Sequence, residues 1–310
     1  MTSPSILVTW FGSIHPYGTV GDLFAVQSVI SRLVASGFDV FHASETSTFG
    51  LQGRNVSSIN MVDPREVDLL IFVCGPIIKG NPICQIFERF APSRKIGVSV
   101  SLMANGAPNY TQPFDIVFAR EGGSRRYEDV AILAPLTSRR LVDSQRVGIR
   151  VGLALRGPQG EYGECLDGTV RKLAESAVNT LSASRPVDVV EIEHHLVRSG
   201  RTPPEIEGLY AGCDLIITSR FHGGMLALRN TIPFIAIDQI RGGAKISSLL
   251  KPTGWPYVFR ADSVAIETIC AAAEHLVAVS SVPLLCETAD RCRRAAGLTL
   301  DALEAEIRGL

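Results

Sequence analysis

The segment from residue 213 to residue 238 restricts the fold of this chain more than any other part of the sequence. Leu215–Thr218 is a short apolar run rich in β-branched residues, which predicts a strand buried on both faces. A helical apolar pattern follows at residues 225–228, and residues 234–237 predict the next buried strand. The segment therefore predicts a parallel β-α-β unit, from which doubly wound α/β domains are built.

Two basic side chains follow the first of these strands directly. Arg220 and His222 lie where the strand gives way to the helix, and Gly223 comes next. Ligands of open α/β sheets bind at the carboxyl ends of the strands, and a helix N-terminus attracts anions. We expect Gly223 to let a ligand approach the backbone closely. The pattern predicts a site for a phosphorylated or carboxylated substrate.

The same alternation of strand and helix runs through the whole chain. Further strands are predicted at residues 6–11, 39–42, 68–73, 96–100, 116–119, 147–155, 187–192 and 257–259. Between residues 134 and 145 the pattern lapses into a stretch that contains proline, serine and arginine. We therefore predict two doubly wound α/β domains, residues 1–140 and 145–290, followed by a helical tail at residues 291–310.

Composition narrows the function classes. With 46% hydrophobic and 20% charged residues and a formal charge of -1, the 310-residue chain suits a packed enzyme and argues against a nucleic-acid partner. No apolar run approaches the roughly 20 residues that cross a bilayer, so we expect no stable membrane insertion. The seven cysteines are scattered, and the N-terminus lacks the basic start of a secretion signal. These features favour a reducing, cytoplasmic location.

Six segments of the chain together match the motifs of one protein family. They are Gly18-Thr19-Val20-Gly21-Asp22, residues 68–75, Phe118-Ala119-Arg120-Glu121, residues 152–156, Arg220-Phe221-His222 and Ala244-Lys245-Ile246. In type, order and spacing they resemble the polysaccharide pyruvyl transferase family, and the match runs from about residue 5 to residue 260. The chain departs from the family's Arg-Leu-His-Ala segment at Phe221 and Gly223. It also has Thr19 in place of the asparagine of the first loop.

The resemblance implies two Rossmann-like domains facing a cleft, in a GT-B-like arrangement. It implies phosphoenolpyruvate as the donor and a sugar or glycan as the acceptor, joined as a ketal. Neither a cofactor nor a metal is needed for this chemistry. A homo-oligomer stays open, as do the acceptor's identity, the choice between ketal and enol ether, and the pathway.

The donor's chemistry suggests roles for the candidate residues. Protonation of the enol carbon C3 needs an acid with a pKa near neutrality, which favours His222. Arg220 suits the donor's phosphate and carboxylate, because a guanidinium binds both groups through its planar fork. Asp22 is assigned to activating or orienting the acceptor hydroxyl. The remaining candidates are assigned to substrate binding: Arg120, Arg156, Lys245, Gly21 and Gly223.

Structural alternatives stand beside these roles. Asp22 also suits the N-cap of the first long helix, and Arg120 also suits a salt bridge with Glu121 or Glu128. His222 also suits a histidine that bonds a backbone carbonyl, and the role of His15 in the first loop is open. At the level of the whole chain, two alternatives remain. One is a GT-B-like glycosyltransferase that uses a nucleotide sugar, and the other is a non-catalytic member that binds an anion or a partner protein.

Overall fold

The computed structural model describes residues 4–14, 17–78, 83–102, 113–138, 146–243 and 246–310. The chain divides into two compact units. The first unit consists of Met1–Ala134, His195–Gly200 and Arg293–Leu310, and the second consists of Pro135–His194 and Arg201–Cys292. Of the residues singled out from the sequence, His15 and Lys245 lie outside the described residues.

The first unit is a parallel sheet with helices. Its strands are β1 (Ile6–Trp10), β2 (Val40–Ala43), β3 (Arg54–Val56), β4 (Leu69–Val73), β5 (Pro76–Ile77), β6 (Arg94–Leu102) and β7 (Ile116–Glu121). Its helices before the second unit are α1 (Val20–Ala35) and α2 (Ile83–Arg89), and α4 (Leu196–Ser199) also belongs to it. The strand order is β3-β2-β1-β4-β6-β5, with β7 pairing β6, and every pairing is parallel.

Burial explains the sequence pattern of this sheet. All residues of β1 and β4 are buried, as expected for parallel strands covered on both faces. One side of the sheet packs an aromatic cluster in which the ring of Phe72 meets that of Phe87 edge to face, with 5.4 Å between ring centroids. Helix α1 ends at Ala35, and Gly37 follows with a left-handed φ of 84°, a conformation that commonly terminates helices.

The second unit is a smaller parallel sheet. Its strands are β8 (Ile149–Ala154), β9 (Val187–Glu191), β10 (Leu215–Thr218), β11 (Phe234–Asp238) and β12 (Val258–Arg260). Its helices are α3 (Asp167–Ser182), α5 (Pro203–Ala211), α6 (Phe221–Arg229), α7 (Ile246–Leu250) and α8 (Ile266–Ala278). The strand order is β12-β11-β10-β8-β9, again parallel throughout.

This order determines where a ligand can bind in the second unit. The chain passes from β8 outward to β9 and then returns to the other side of β8 to form β10. The order therefore reverses between β8 and β10. In doubly wound sheets, the crevice outside the carboxyl ends of two such strands is the usual ligand site. Arg156 follows β8 and Arg220 follows β10, so both lie at this switch point.

The C-terminal helix is longer than the predicted tail. The sequence assigned residues 291–310 to a helical tail, whereas α9 extends over Val282–Arg308. Its residues from Arg293 onward belong to the first unit. Within the described part of the chain, no single helix is long and apolar enough to cross a membrane, and only α8 and α9 taken together, sharply bent at their break, pass by length and composition.

Candidate active site

A short connection between β10 and α6 fixes the backbone of the candidate residues. Arg220 is the N-cap of α6 and has extended φ and ψ angles of -111° and 134°. The hydroxyl of Thr218, at the end of β10, donates to the carbonyl of Ala154 at 2.8 Å. The same oxygen accepts from the backbone N–H of Arg220 at 3.0 Å. Thr218 therefore ties the start of α6 to the end of β8.

The two glycines of α6 have a packing function. A Cβ on Gly223 would lie 2.1 Å from Oγ1 of Thr218, and one on Gly224 would lie 2.7 Å from Cδ1 of Leu250. Real Cβ contacts are not this short, so a side chain at Gly223 would push α6 away from β10, and one at Gly224 would displace the side chain of Leu250. Close helix packing thus explains Gly223, to which the sequence analysis gave a ligand-approach role.

The guanidinium of Arg220 is held by two acceptors from neighbouring strand ends. Its Nε donates to the carbonyl of Leu155 at 3.2 Å, and its Nη2 donates to Oε1 of Glu193 at 2.8 Å. The side chain is 9% exposed. Burial lowers the pKa of Arg220 to about 10, while the nearby carboxylate of Glu193 opposes this shift. The group therefore remains a cation at neutral pH.

A second cation lies close to Arg220. The backbone N–H of Arg156 donates to Oγ of Ser219 at 2.8 Å, which joins the segment after β8 to the segment after β10. The charge of Arg156 also lowers the pKa of Arg220, which places the two positive charges near each other. Two positive charges near each other repel, and a bound anion relieves this repulsion. The pair therefore provides a positive region at the switch point.

His222 lies in the first turn of α6. It is the second residue of α6 and is 8% exposed, so its ring is largely shielded from water. The ring packs against that of Phe221, with 5.1 Å between centroids and 47° between planes. An imidazole in the first turn of a helix whose N-cap is an arginine supplies the residue types needed to bind an anion and move a proton.

Three side chains around Arg220 were not predicted from the sequence to belong to this site, namely His194, Tyr210 and Glu193. The ring Nε2 of His194 lies 2.6 Å from the hydroxyl of Tyr210, and both side chains are buried. Burial raises the pKa of Tyr210, and the charge of Arg220 opposes this shift, so the phenol lies near the guanidinium. Glu193 follows β9 at the same sheet edge, and this position was the signal that could have revealed it.

In the first unit, Asp22 is the third residue of α1 and does not cap it. The N-cap is Thr19, whose hydroxyl accepts from the backbone N–H of Asp22 at 3.4 Å and donates to Oδ2 of Asp22 at 2.8 Å. The expectation that Asp22 caps the helix was therefore wrong, because the helix begins two residues earlier, at Val20. Gly21 is buried in the same first turn.

Arg120 belongs to a buried ion pair within the first unit. Its side chain is 5% exposed, and its Nη1 donates to Oδ2 of Asp129, which is fully buried, at 2.8 Å. Its Nε donates to Oγ of Ser101 at 2.9 Å. A salt bridge of Arg120 is therefore present, with Asp129 as its partner.

Cys74, directly after β4, has an unusual backbone conformation. Its backbone has a left-handed φ of 66°, a conformation that costs a side-chain-bearing residue about 1–2 kcal/mol. The thiol is buried and its Sγ lies 3.9 Å from Oδ2 of Asp129. Burial, reinforced by that carboxylate, raises the pKa of the Cys74 thiol. The thiol therefore stays protonated, and it is a poor nucleophile.

Glu128 gives the fold a pH dependence that can be measured. Burial raises the pKa of Glu128 to about 7, against the opposing charge of Arg126, whose Nη2 lies 3.3 Å from Oε2. A raised carboxyl pKa means that the folded state keeps a proton which the unfolded state releases. The contribution of Glu128 to the free energy of unfolding is then full below about pH 4.5 and falls as the pH rises to about 7, by up to roughly 3 kcal/mol.

Urea unfolding at a series of pH values checks this expectation. Glu128→Gln should remove most of the slope between pH 4.5 and 7, because the amide does not titrate. Glu88→Gln, at an exposed position of α2, is the matched control and should keep the slope. An unchanged slope in Glu128→Gln would assign the dependence to another group.

The structure assigns the candidates to the two units as follows. At the sheet edge of the second unit lie Arg156, Arg220, His222 and Gly223, whereas Asp22 and Gly21, in α1, and Arg120, on β7, belong to the first unit. Lys245 is outside the described residues. The prediction that residues of the two domains act on one ligand stays a prediction.

Comparison with known families supports the resemblance. The family model described as polysaccharide pyruvyl transferase matches residues 109–239, which include Arg120, Arg156, Arg220 and His222. The resemblance inferred from the sequence motifs is confirmed for this part of the chain. No curated protein matches the sequence.

Solved structures show the fold. A Listeria monocytogenes protein assigned as a UDP-N-acetylglucosamine 2-epimerase has a TM-score of 0.58 at 10% identity, covering 99% of this chain and 96% of its own. A Thermobaculum terrenum O-GlcNAc transferase variant scores 0.55 at 14% identity, covering 99% and 67%. The glycotransferase of kitacinnamycin scores 0.53 at 13% identity, covering 99% of each chain. The predicted class, two parallel-sheet α/β domains as in GT-B glycosyltransferases, is confirmed.

Proposed function

We propose that this chain transfers the pyruvyl group of phosphoenolpyruvate onto hydroxyls of a sugar or glycan and forms a ketal. The family match over residues 109–239 supports a transferase of the polysaccharide pyruvyl transferase type. The observation that carries the donor assignment is the start of α6, where Arg220 and His222 lie two residues apart at the switch point of the second unit.

The anionic groups of the donor need cationic partners. Phosphoenolpyruvate carries a phosphate and a carboxylate, and the buried fork of Arg220 suits either group through paired hydrogen bonds. The charge of Arg156 adds to the attraction, since it lies near enough to shift the pKa of Arg220. The burial of Arg220 strengthens its pull on an anion, because little water screens it.

The reaction needs a proton donor, and we assign this role to His222. The imidazolium donates a proton to C3 of the donor, which becomes a methyl group, and positive charge develops at C2. One acceptor hydroxyl then adds at C2 and the bond from C2 to the phosphate oxygen breaks, releasing phosphate. A second hydroxyl adds at C2 to close the ketal. The two hydroxyl protons end on the methyl group, by way of the histidine, and on phosphate. The acceptor role of Asp22 remains a proposal.

A thermal-shift panel tests the donor. Phosphoenolpyruvate should raise the melting temperature of the full chain by several degrees, because a ligand that binds only the folded state stabilises it. UDP-sugars should not. Arg220→Ala should weaken phosphoenolpyruvate binding by about 2–4 kcal/mol, since a charge-assisted contact is lost. Arg171→Ala, at an exposed position of α3 in the same unit, is the control and should leave the shift intact.

The outcomes separate the alternatives. A shift with nucleotide sugars and none with phosphoenolpyruvate would replace the proposal by a glycosyltransferase function. If phosphoenolpyruvate raises the melting temperature but no phosphate is released in the presence of glycans, the result would favour a non-catalytic anion-binding protein.

A further inference from the structure

The side chain of Arg220 runs across the end of a neighbouring strand. Arg220 follows β10 and Glu193 follows β9, and β8 lies between these two strands in the sheet. The guanidinium passes over the end of β8, where its Nε bonds the carbonyl of Leu155 at 3.2 Å. It then reaches Oε1 of Glu193 at 2.8 Å. Three adjacent strand ends therefore fix one guanidinium.

The two side chains of the pair Arg220–Glu193 differ in their exposure to water. The side chain of Arg220 is 9% exposed, whereas that of Glu193 is 36% exposed. A largely buried cation requires a partner, while a carboxylate at the solvent edge is well hydrated without one. The pair consequently matters more for the state of Arg220 than for the state of Glu193.

The two hydrogen bonds also determine the orientation of the group. A guanidinium is planar, so acceptors at Nε and at Nη2 set the plane of its fork. Without Glu193, Leu155 is the acceptor that remains of these two, and the fork can rotate about the end of the side chain. Ordering a freed side chain when a ligand binds costs affinity. Removing a negative charge acts in the opposite direction, but water screens a carboxylate at this exposure.

We infer that Glu193 is a positioning residue, which holds the guanidinium of Arg220 in the orientation that receives the donor's anionic group. This role rests on the proposed function in taking phosphoenolpyruvate as that donor. The carboxylate acts through Arg220 and makes no contact with the reacting atoms. The site thus requires the segment after β9 as well as those after β8 and β10.

Titration calorimetry on the full chain tests this role with two probes, phosphoenolpyruvate and inorganic phosphate. Glu193→Gln should raise the dissociation constant of both by about tenfold and should raise KM for phosphoenolpyruvate more than it changes kcat. The change is isosteric, and a melting temperature measured alongside checks folding. Glu193→Asp, which shortens the side chain by one methylene, should also raise both dissociation constants. It replaces the glutamine variant in the test if that variant does not fold.

The matched control is Glu191→Gln. Glu191 is two residues earlier, is 62% exposed and lies 3.6 Å from Arg171, so its loss should leave both constants within twofold. A double-mutant cycle supplies the readout that a general structural role would not move. In an Arg220→Ala background, Glu193→Gln should have no further effect on binding.

Each outcome decides the question. An unchanged or lower dissociation constant in Glu193→Gln, or an undiminished effect in the Arg220→Ala background, would overturn the positioning role. Binding of phosphate alone, weakened by Glu193→Gln, would sustain the role and reject phosphoenolpyruvate as donor. Failure of the unmodified protein to bind either anion would reject both proposals.

Discussion

Replacing His222 with asparagine should lower the rate of phosphate release from phosphoenolpyruvate by about 10²–10⁴-fold, the usual contribution of a positioned general acid. Asparagine keeps a polar group at the second position of α6 but cannot deliver a proton near neutral pH. The donor's dissociation constant should change far less, because the anionic groups are assigned to Arg220 and Arg156. A large loss in kcat with a small change in binding is the signature of a group that acts in the transition state.

Folding has to be separated from chemistry in this experiment. His222 is 8% exposed and packs against Phe221, so the variant's melting temperature should be compared with that of the unmodified chain. His275→Asn, on α8 of the same unit, is the matched control because His275 is exposed. It should release phosphate at the unmodified rate. Phosphate release by His222→Asn within threefold of the unmodified protein would remove this histidine from the mechanism.

The sequence was sufficient to predict the buried strands. The run at Leu215–Thr218 was predicted with the observed bounds, because a parallel strand covered on both faces must be apolar throughout. Two short strands were missed for the converse reason. Arg54–Val56 is largely exposed and Pro76–Ile77 has two residues, so neither leaves a hydrophobic pattern. Their pairing depends on neighbouring strands and not on their own composition.

The sequence also located part of the candidate site. Arg220 and His222 were found because a strand's carboxyl end is visible in the sequence. The partner of Arg220 was not, because Glu193 is 27 residues away and becomes its neighbour only through the strand order β10-β8-β9. From the sequence, Gly223 was predicted to let a ligand approach the backbone closely. The structure shows a helix packing constraint from Thr218 that no single sequence reveals.

The partner of Arg120 illustrates the same limit on a smaller scale. Glu121 is adjacent in sequence, but successive side chains of a strand point to opposite faces, so it cannot share the face of Arg120. Glu128 pairs with Arg126. Asp129 is the acid that the fold turns back towards β7, and it is also the N-cap of the short 3-10 helix that follows, through its bond to the backbone N–H of Ala131 at 2.9 Å.

This geometry predicts that Arg120→Met will lower the free energy of unfolding by about 3–5 kcal/mol. The change removes the guanidinium that faces the fully buried carboxylate of Asp129, and breaking a buried ion pair on one side is strongly destabilising. Urea unfolding of the single variant measures it. The loss should exceed that of an exposed ion pair such as Arg65–Asp63, where water screens the charges and Arg65→Met should have little effect on unfolding.

A second substitution distinguishes a structural role from a ligand role for Arg120. Asp129→Asn in the Arg120→Met background removes the buried negative charge while its amide oxygen still accepts from Ala131, so much of the lost stability should return. If the ion pair is structural, phosphoenolpyruvate binding should return with it. A double variant that is stable but binds phosphoenolpyruvate more than tenfold more weakly would mean that the guanidinium of Arg120 contacts the donor, as the sequence resemblance implied.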